Sequence, residues 1–315
     1  MSEPRALRVL FMGTGDIALP AFTALLQSGH EMVGLVTQPD KPVGRKQVLT
    51  PPRIKEAALE HGIPVWQPER ARRKSFLDEM EALQPEVIIV MAYGQILTQR
   101  LIDAPSLAII NVHASLLPLY RGASCIQGPI ADGHAETGVT IMHVVKALDA
   151  GDIILQSRTP LSPDDTGGAV HDRLAEMTPE SLLTALDLLA TGEATRTPQD
   201  DAASTYAPKL LRDHGLLDCT LPADQLERLI RAYHPWPSTY TTYLDKKGKS
   251  RRLKVFPPVL VTTSSQPEGT LTAEDGRLIL SCANGTALEL TSIQPEGSRA
   301  MPATDFLLGG GAHLG

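Results

Sequence analysis

Two short runs of entirely apolar residues constrain the fold of this chain more than any other feature of its sequence. They extend from Val87 to Ala92 and from Leu107 to Val112. A strand that is apolar on both faces is typical of the centre of a parallel sheet, where helices cover the two faces. Similar runs at Arg8 to Met12 and Met32 to Val36 have a helical pattern between them, from Ile17 to Leu26. This order predicts an α/β fold built on a parallel sheet.

A second region, with a different pattern of residues, follows the α/β part. Residues 191–205 are polar and show no apolar periodicity, which is typical of a linker. From residue 239 onward, short β-like runs alternate with turns that contain glycine and proline, and this pattern predicts a small barrel. The expected division is an α/β domain over 1–190, a linker over 191–207 and a barrel domain over 208–315.

Composition narrows the class of protein. The chain has 315 residues, of which 42% are hydrophobic and 21% are charged; this is close to the soluble globular average and excludes a disordered or fibrous chain. No apolar run approaches the roughly 18 residues of a membrane span, and the first residues lack the apolar core of a secretory signal. Three distant cysteines without a C-x-x-C pair favour neither a zinc site nor a disulfide framework. We therefore expect a cytoplasmic protein.

The charge of the chain is unevenly distributed. The formal net charge is −7, and a field of that sign does not attract nucleic acid as a whole. Residues 1–204 carry a net −8, whereas residues 205–315 carry a net +1. Six basic residues lie in one stretch of the second region: Lys246, Lys247, Lys249, Arg251, Arg252 and Lys254. This stretch is interpreted either as the solvated rim of a hairpin or as a patch that contacts phosphates.

Polar residues suited to acyl transfer follow the apolar runs. Asn111 and His113 alternate along one strand and therefore point to the same face, and Asp149 follows the next strand-like run. An amide can stabilise an oxyanion, an imidazole can move protons and a carboxylate can orient the imidazole. Ser115 lacks the G-x-S-x-G setting of a nucleophile. The set therefore favours direct attack by an amine of the substrate over an acyl-enzyme.

A long loop is expected after the second strand, at residues 37–55. It contains four prolines, and its basic residues are Lys41, Arg45, Lys46, Arg53 and Lys55. Ligands of open α/β sheets bind at the carboxyl ends of the strands. The loop either overhangs such a site or is a tolerated surface excursion.

The motifs around these residues resemble those of the tetrahydrofolate-dependent formyltransferases. The matching segments are Asn111 to Pro118 with Arg121-Gly122, Gly138 to Met142, and Leu148 to Asp152. Three further segments resemble the branch of this family that acts on initiator methionyl-tRNA: Thr37 to Asp40 with Gly44-Arg45, Tyr206 to Leu210, and Arg231 to Pro237. The resemblance covers essentially the whole chain. It implies a Rossmann-like formyltransferase domain, followed by an OB-like β-barrel.

The resemblance also implies an activity and residue roles. A formyl group would pass from 10-formyltetrahydrofolate to the α-amine of the tRNA-bound methionine, with no metal and no obligate protein partner. Asn111, His113 and Asp149 would be catalytic. The folate site would consist of Ser115, Leu116, Leu117, Pro118, Met91, Ala92, Tyr93 and Gly94. Arg45 and its neighbour Lys46 would meet the acceptor end of the tRNA, and the basic stretch at 246–254 is expected to contact its phosphates.

Three other interpretations remain open. A formyltransferase acting on a small amine, such as a sugar nucleotide or a ribonucleotide, would need neither the barrel domain nor the loop with Arg45. An NAD-dependent dehydrogenase would account for the turn Gly13-Thr14-Gly15, but no acidic residue ends the second strand to bind a ribose. A non-catalytic RNA-binding protein would not need Asn111, His113 and Asp149 together.

Overall fold

The computed structural model describes residues 5–44 and 46–309. The chain divides into two compact units. The first comprises Met1–Cys125, Thr137–Thr159 and His171–Tyr206, and the second comprises Ile126–Glu136, Pro160–Val170 and Ala207–Gly315. The domain bounds at 1–190, 191–207 and 208–315 stay predictions. Two short segments that precede residue 190 nevertheless group with the C-terminal region.

Up to residue 207, the helices and strands that the sequence indicated occur in the expected order, with further short elements between them. The strands are β1 (Arg8–Gly13), β2 (Glu31–Val36), β3 (Lys41–Val43), β4 (Val48–Thr50), β5 (Val65–Trp66), β6 (Val87–Met91), β7 (Ala108–His113), β8 (Arg121–Gly122), β9 (Glu136–His143), β10 (Ile153–Pro160) and β11 (Tyr206–Ala207). The helices are α1 (Leu19–Leu26), α2 (Arg53–Glu60), α3 (Lys74–Ala82), α4 (Gln99–Ile102), α5 (Gln127–Ala131) and α6 (Gly167–Thr191).

The predicted parallel sheet is confirmed. Seven strands lie in the order β10-β9-β7-β6-β1-β2-β5, and the pairs β1–β2, β1–β6 and β6–β7 are parallel. Val87, Ile88 and Ile89 in β6 are all fully buried, because the strand lies inside the sheet with both faces covered. Helix α1 is preceded by a 3-10 turn, Asp16–Ala18. Pro20 fits the first turn of α1, where its missing N–H costs no hydrogen bond.

The direction of β9 differs from the parallel arrangement that the sequence suggested. This strand is antiparallel to β7, with Asn111 opposite Met142 and His113 opposite Thr140. An apolar run does not encode the direction of its strand, so the pattern could not distinguish the two cases. As a result, the carboxyl end of β9 lies away from the carboxyl end of β7.

The loop predicted at residues 37–55 contains a hairpin instead of remaining without structure. β3 and β4 pair antiparallel, with Pro42 opposite Leu49, and all six residues of the two strands are exposed. A proline is tolerated on an isolated hairpin because it can occupy the side that donates no ladder hydrogen bond. Arg45 lies outside the described residues.

The second unit contains the predicted barrel-like domain, which is a curled antiparallel half-barrel. Its strands, in the order β12-β13-β16-β15-β14 with β17 beside β16, are β12 (Thr239–Leu244), β13 (Ser250–Thr263), β14 (Leu271–Glu274), β15 (Arg277–Ser281), β16 (Thr286–Pro295) and β17 (Met301–Pro302). Its helices are α7 (Ala223–Ala232) and α8 (Ala303–Leu308). Leu226 and Ile230 of α7 join Leu253, Leu278 and Leu288 in one core.

Two details of this sheet depart from the sequence pattern. β12 lies at the start of the region expected to be β-like, but it is not an apolar run, because it consists of threonines and tyrosines apart from Leu244. The apolar runs at 253–256 and 259–263 belong to one strand, β13, whose pairing register shifts between Phe256 and Val259. The shift falls at Pro257-Pro258, since prolines within a strand are tolerated at such irregularities.

The segments 126–136 and 160–170 belong to the second unit because they pack on α7. Arg228 Nε donates to the Ala131 carbonyl at 3.2 Å, and Arg231 Nη1 donates to the Asp165 carbonyl at 2.9 Å. Two arginines of one helix thus tie both segments to the C-terminal region. Within the described parts of the chain, no helix combines the length and the apolar character needed to cross a membrane.

Candidate active site

β7 carries two of the three expected catalytic side chains. Asn111 and His113 alternate along this strand, which directs both to the same face. Asn111 lies opposite Val90 of β6 on one side and Met142 of β9 on the other. The strand is therefore held on both edges, and this fixes the position of its side chains. Asn111 is partly buried and His113 is buried.

Asp149 reaches the same place by a different route from the one expected. The sequence indicated only that Asp149 follows a strand; that strand, β9, is antiparallel to β7, and Asp149 lies in the segment that connects β9 to β10. Asn111 Nδ2 donates to Asp149 Oδ1 at 3.3 Å, and His113 Nδ1 lies 3.9 Å from Asp149 Oδ2. The structure therefore brings the three side chains together at one carboxylate.

The main chain holds Asp149 in a conformation that few L residues adopt. Its φ is +50°, in the left-handed region. The Gly122 N–H donates to Asp149 Oδ2 at 2.8 Å. Gly151 closes the turn where a Cβ would collide with the carbonyl oxygen of His143. Only glycine therefore fits at position 151. Asp149 is held both by its side chain, through Gly122, and by the main chain of the turn.

The surroundings of His113 favour its protonated form. Burial acts to lower the pKa of the imidazole, but the neighbouring Cys125, the Asp149 carboxylate and the Tyr120 carbonyl act against it and raise the pKa of His113 to about 9. His113 Nε2 lies 2.9 Å from the Tyr120 carbonyl oxygen. An imidazolium can donate there from Nε2 and face Asp149 with Nδ1. At neutral pH this histidine is therefore a fixed positive charge in a buried site.

The segment expected to line the folate site is held in shape by its own hydrogen bonds. Ser115 is fully buried, and its hydroxyl donates to a main-chain carbonyl four residues later at 2.8 Å. Gln156 Nε2 donates to the Leu117 carbonyl at 2.7 Å. Leu117 is also buried, whereas Leu116 and Pro118 are partly exposed. The exposed members offer apolar surface to a ligand, and the buried members support the loop.

The segment at the end of β6 also contains both buried and exposed residues. Met91 and Tyr93 are buried, and Ala92 and Gly94 are exposed. Gln38 Nε2 donates to the Tyr93 carbonyl at 2.8 Å, which ties this segment to the base of the β3–β4 hairpin. Burial raises the pKa of Tyr93 to about 12, so its hydroxyl stays protonated at physiological pH. Exposed main chain at a strand end suits hydrogen bonding to the edge of a flat heterocycle.

Comparison with known sequences identifies the family of this chain. Residues 7–186 match the formyl transferase family, and residues 209–310 match the formyl transferase C-terminal domain. The chain belongs to the formyl transferase family.

Curated relatives match this formyl transferase over nearly its whole length. A methionyl-tRNA formyltransferase of Akkermansia muciniphila is 50% identical over 305 residues, which are 96% of this chain and 96% of that protein. A methionyl-tRNA formyltransferase of Ectopseudomonas mendocina is 44% identical over 303 residues, covering 96% and 95%. Among solved structures, HypX from Aquifex aeolicus in complex with tetrahydrofolic acid matches with a TM-score of 0.63 at 17% identity, covering 96% of this chain and 47% of that one. This last likeness shows a shared fold.

The basic stretch of this formyl transferase is not one uniform patch. Lys246, Lys247 and Lys249 are exposed in the turn between β12 and β13. Arg252 and Lys254 are exposed on one face of β13, and the Arg252 guanidinium lies 4.5 Å from the centre of the Tyr240 ring. Arg251 is partly buried on the opposite face.

Acidic residues pair with both arginines of the stretch: Arg252 lies 3.7 Å from Asp213, whereas Arg251 has two acidic partners. It forms ion pairs with Asp245 at 3.1 Å and with Glu296 at 3.7 Å. Hydrogen bonding to Asp245 raises the pKa of Arg251. An arginine neutralised in this way offers little net charge to a phosphate. Lys46, on the β3–β4 hairpin, is exposed.

Sequence reasoning missed several groups around the carboxylate and the imidazole. They are the Gly122 N–H, the Tyr120 carbonyl, the Cys125 thiol and the Gln199 amide. The first two are main-chain groups, which every residue has, so no pattern of residue types reveals them. Cys125 was considered only as a zinc or disulfide candidate. Gln199 was assigned to the linker, where a single glutamine carries no signal.

Proposed function

We propose that this chain transfers the formyl group of 10-formyltetrahydrofolate to the α-amine of initiator methionyl-tRNA, in the cytoplasm, during translation initiation. The observation that carries the proposal is the meeting of Asn111 and His113 at the Asp149 carboxylate. The curated relatives at 50% and 44% identity, which are methionyl-tRNA formyltransferases over nearly their full length, support the choice of substrate.

The exposed groups near the site fit a folate. A pterin is flat, with hydrogen-bonding atoms at its edge and apolar faces. The exposed main chain at Ala92 and Gly94 suits the edge, and the partly exposed side chains of Leu116 and Pro118 suit the faces. When bound, the folate supplies the formyl carbon that the amine attacks. HypX, whose structure was solved with tetrahydrofolic acid, has the same fold.

The three side chains have distinct roles in this proposal. One N–H of the Asn111 amide faces Asp149, so its second N–H is left to stabilise negative charge that develops on the formyl oxygen. The protonated His113 adds a positive charge in a buried site, where electrostatic interactions are stronger than in water. Asp149 keeps His113 charged and orients it, and assists removal of the amine proton.

The proposed contacts with tRNA involve two regions. Arg45 and Lys46, which follow β3 in the sequence, would meet the acceptor end, and Lys246, Lys247, Lys249, Arg252 and Lys254 would contact phosphates. An enzyme for a small amine needs neither, which favours the tRNA substrate over a sugar nucleotide or a ribonucleotide.

A transfer assay tests the proposed function. Purified protein is incubated with 10-formyltetrahydrofolate and, in parallel, with charged initiator tRNA, free methionine or an amino-sugar nucleotide. We expect formylmethionyl-tRNA to form and the two small amines to react far more slowly. Faster formylation of the amino-sugar nucleotide would replace the proposal with the small-amine alternative. The absence of formylation with every acceptor would contradict both.

A further inference from the structure

Gln199 makes two hydrogen bonds to the turn that carries Asp149. Its Nε2 donates to the Asp149 carbonyl oxygen at 2.9 Å and to the Gly151 carbonyl oxygen at 2.8 Å. One amide group therefore bridges the two carbonyls of this turn and uses both of its N–H donors. Gln199 lies fifty residues after Asp149 in the chain and is partly buried, whereas its neighbours on both sides are exposed.

Arg121 fixes the orientation of this amide. Its Nε and Nη2 donate to Gln199 Oε1 at 3.1 and 2.9 Å. An arginine can only donate hydrogen bonds, so the oxygen of the glutamine must face it and the nitrogen must face the turn. The next residue, Gly122, donates its N–H to the Asp149 carboxylate. Arg121, Gln199 and Gly122 thus hold Asp149 by its main chain and by its side chain.

The turn needs such support because of its backbone conformation. Asp149 has a φ of +50°, which a residue with a Cβ maintains only when its surroundings hold it there. The Asp149 carboxylate can approach Asn111 and His113 only while the turn keeps this shape. A relaxed turn would move the carboxylate away from both.

We propose that Gln199 is a positioning residue, whose amide clasps the turn at 149–151 and thereby keeps the Asp149 carboxylate against Asn111 and His113. The segment interpreted from its composition as a linker would then complete the catalytic centre. This inference rests on the proposed function for the role of Asp149 in catalysis. The clasp itself is defined by the contacts of Gln199.

Two substitutions separate the clasp from general stability. Gln199→Ala removes the amide. Gln199→Glu keeps an oxygen for Arg121 but presents no hydrogen to the two carbonyls at neutral pH. The matched control is Asp201→Asn, because Asp201 is an exposed partner of Arg121 at 2.7 Å in the same segment and does not touch the turn. Thermal unfolding of all three variants shows whether they fold.

The expected effect is on turnover more than on substrate binding. Misplacing a reacting group by about 1 Å can cost roughly 100-fold in rate, so we expect kcat to fall about 10- to 100-fold in Gln199→Ala and Gln199→Glu. The KM values for folate and tRNA should stay within about twofold, since neither substrate needs the clasp to bind. Asp201→Asn should behave like the unchanged protein. Equal kcat in folded Gln199→Glu and the unchanged protein would overturn the inference.

A second measurement does not depend on the proposed function. Asp149 is one of the groups that raise the pKa of His113, together with Cys125 and the Tyr120 carbonyl. A loosened turn should therefore lower the pKa of His113, which an NMR titration of the imidazole can follow in the unchanged protein and in Gln199→Glu. An unchanged His113 pKa would contradict the clasp even if no acceptor were formylated. A lowered pKa with no formylation would contradict only the proposed function.

Discussion

At the scale of single residues, the amide of Asn111 is the group that most directly tests the site. Its substitution by alanine removes an oxyanion donor and leaves His113 and Asp149 in place. The loss of one such donor typically costs about 10²–10³ in turnover, so we expect a fall of that size in kcat for Asn111→Ala. Single-turnover kinetics with formyl donor and charged tRNA measure it, and circular dichroism confirms folding. Near-normal turnover would remove Asn111 from the catalytic set.

The protonation of His113 leads to a prediction about pH. The α-amine of the acceptor must be neutral to attack, and amines of this kind have pKa values of about 8. Activity should therefore rise as the amine loses its proton and fall as pH increases through the pKa of His113, which is about 9. His113→Gln should lose the alkaline fall along with most of the activity. A rate that keeps rising well above pH 10 in the unchanged protein would contradict the role of the imidazolium.

The same histidine links stability to pH. Its pKa of about 9 in the folded protein is higher than the value of about 6.5 expected in the unfolded chain. The folded state therefore binds more protons between these values. The contribution of His113 to the free energy of unfolding is complete below about pH 6.5 and is lost as pH rises through about 9.

At the scale of elements, the basic turn between β12 and β13 is organised by an acidic residue. Asp245 accepts hydrogen bonds from the main-chain N–H groups of Lys247 and Lys249, at 2.9 and 3.0 Å, and from the side chain of Arg251. These hydrogen bonds lower the pKa of Asp245. The bond from the Lys249 N–H has the largest effect, and the bond from Arg251 comes next. The hydrogen bonds of Asp245 thus fix the main chain from which the lysine side chains extend.

This arrangement predicts different effects for residues of one basic stretch. Changing Lys246, Lys247, Lys249, Arg252 and Lys254 together to glutamine should reduce the dependence of tRNA affinity on salt, because each phosphate contact releases counterions. Arg251→Gln should leave that dependence nearly unchanged, since Arg251 is paired with Asp245 and Glu296. Titrations of tRNA binding at several salt concentrations measure both. Identical slopes for all three proteins would mean that the stretch is only a solvated hairpin rim.

A further prediction concerns Arg45, which lies outside the described residues. Arg45 stays protonated and cannot act as a general base, so its role would be to position the tRNA. Arg45→Ala should lower the transfer of formyl to methionyl-tRNA and leave folate affinity intact. Calorimetry with folate and transfer assays with tRNA measure the two quantities. An equal loss of folate affinity would contradict this role.

The elements show what the sequence could predict and what it could not. Apolar runs and helical periodicity located most strands and helices of both units, because burial imposes those patterns directly. β9 shows the limit, since strand direction depends on the path of the chain and not on residue type. The grouping of Asn111, His113 and Asp149 was expected from their residue types and from the family resemblance, while the antiparallel direction of β9 was not. The Gln199 contacts depend on a loop conformation that no local pattern specifies.

At the scale of the whole molecule, the second unit depends on segments distant in the chain. Residues 126–136 and 160–170 are bound to Arg228 and Arg231 of α7. A fragment ending at residue 207 would contain both segments without α7, and would expose Pro129 and Ile130, which are buried in the complete chain. We expect this fragment to unfold at a lower temperature and to bind a hydrophobic dye more strongly. Differential scanning calorimetry and dye fluorescence measure these effects, and unchanged values would show that the first unit is self-sufficient.

The second unit is built from three separate segments of the chain, and this has a consequence for the nascent chain on the ribosome. Residues 126–136 and 160–170 are synthesised before α7, the helix on which they pack. At about 5–20 residues per second, α7 is complete roughly 3–12 s after residue 170 and roughly 5–19 s after residue 136. During this interval the two segments lack the α7 contacts of Arg228 and Arg231, and the second unit cannot form until translation has passed residue 232. Synonymous codons that slow synthesis between residues 170 and 223 would lengthen this exposure, and chaperones that bind nascent chains would have their best opportunity there.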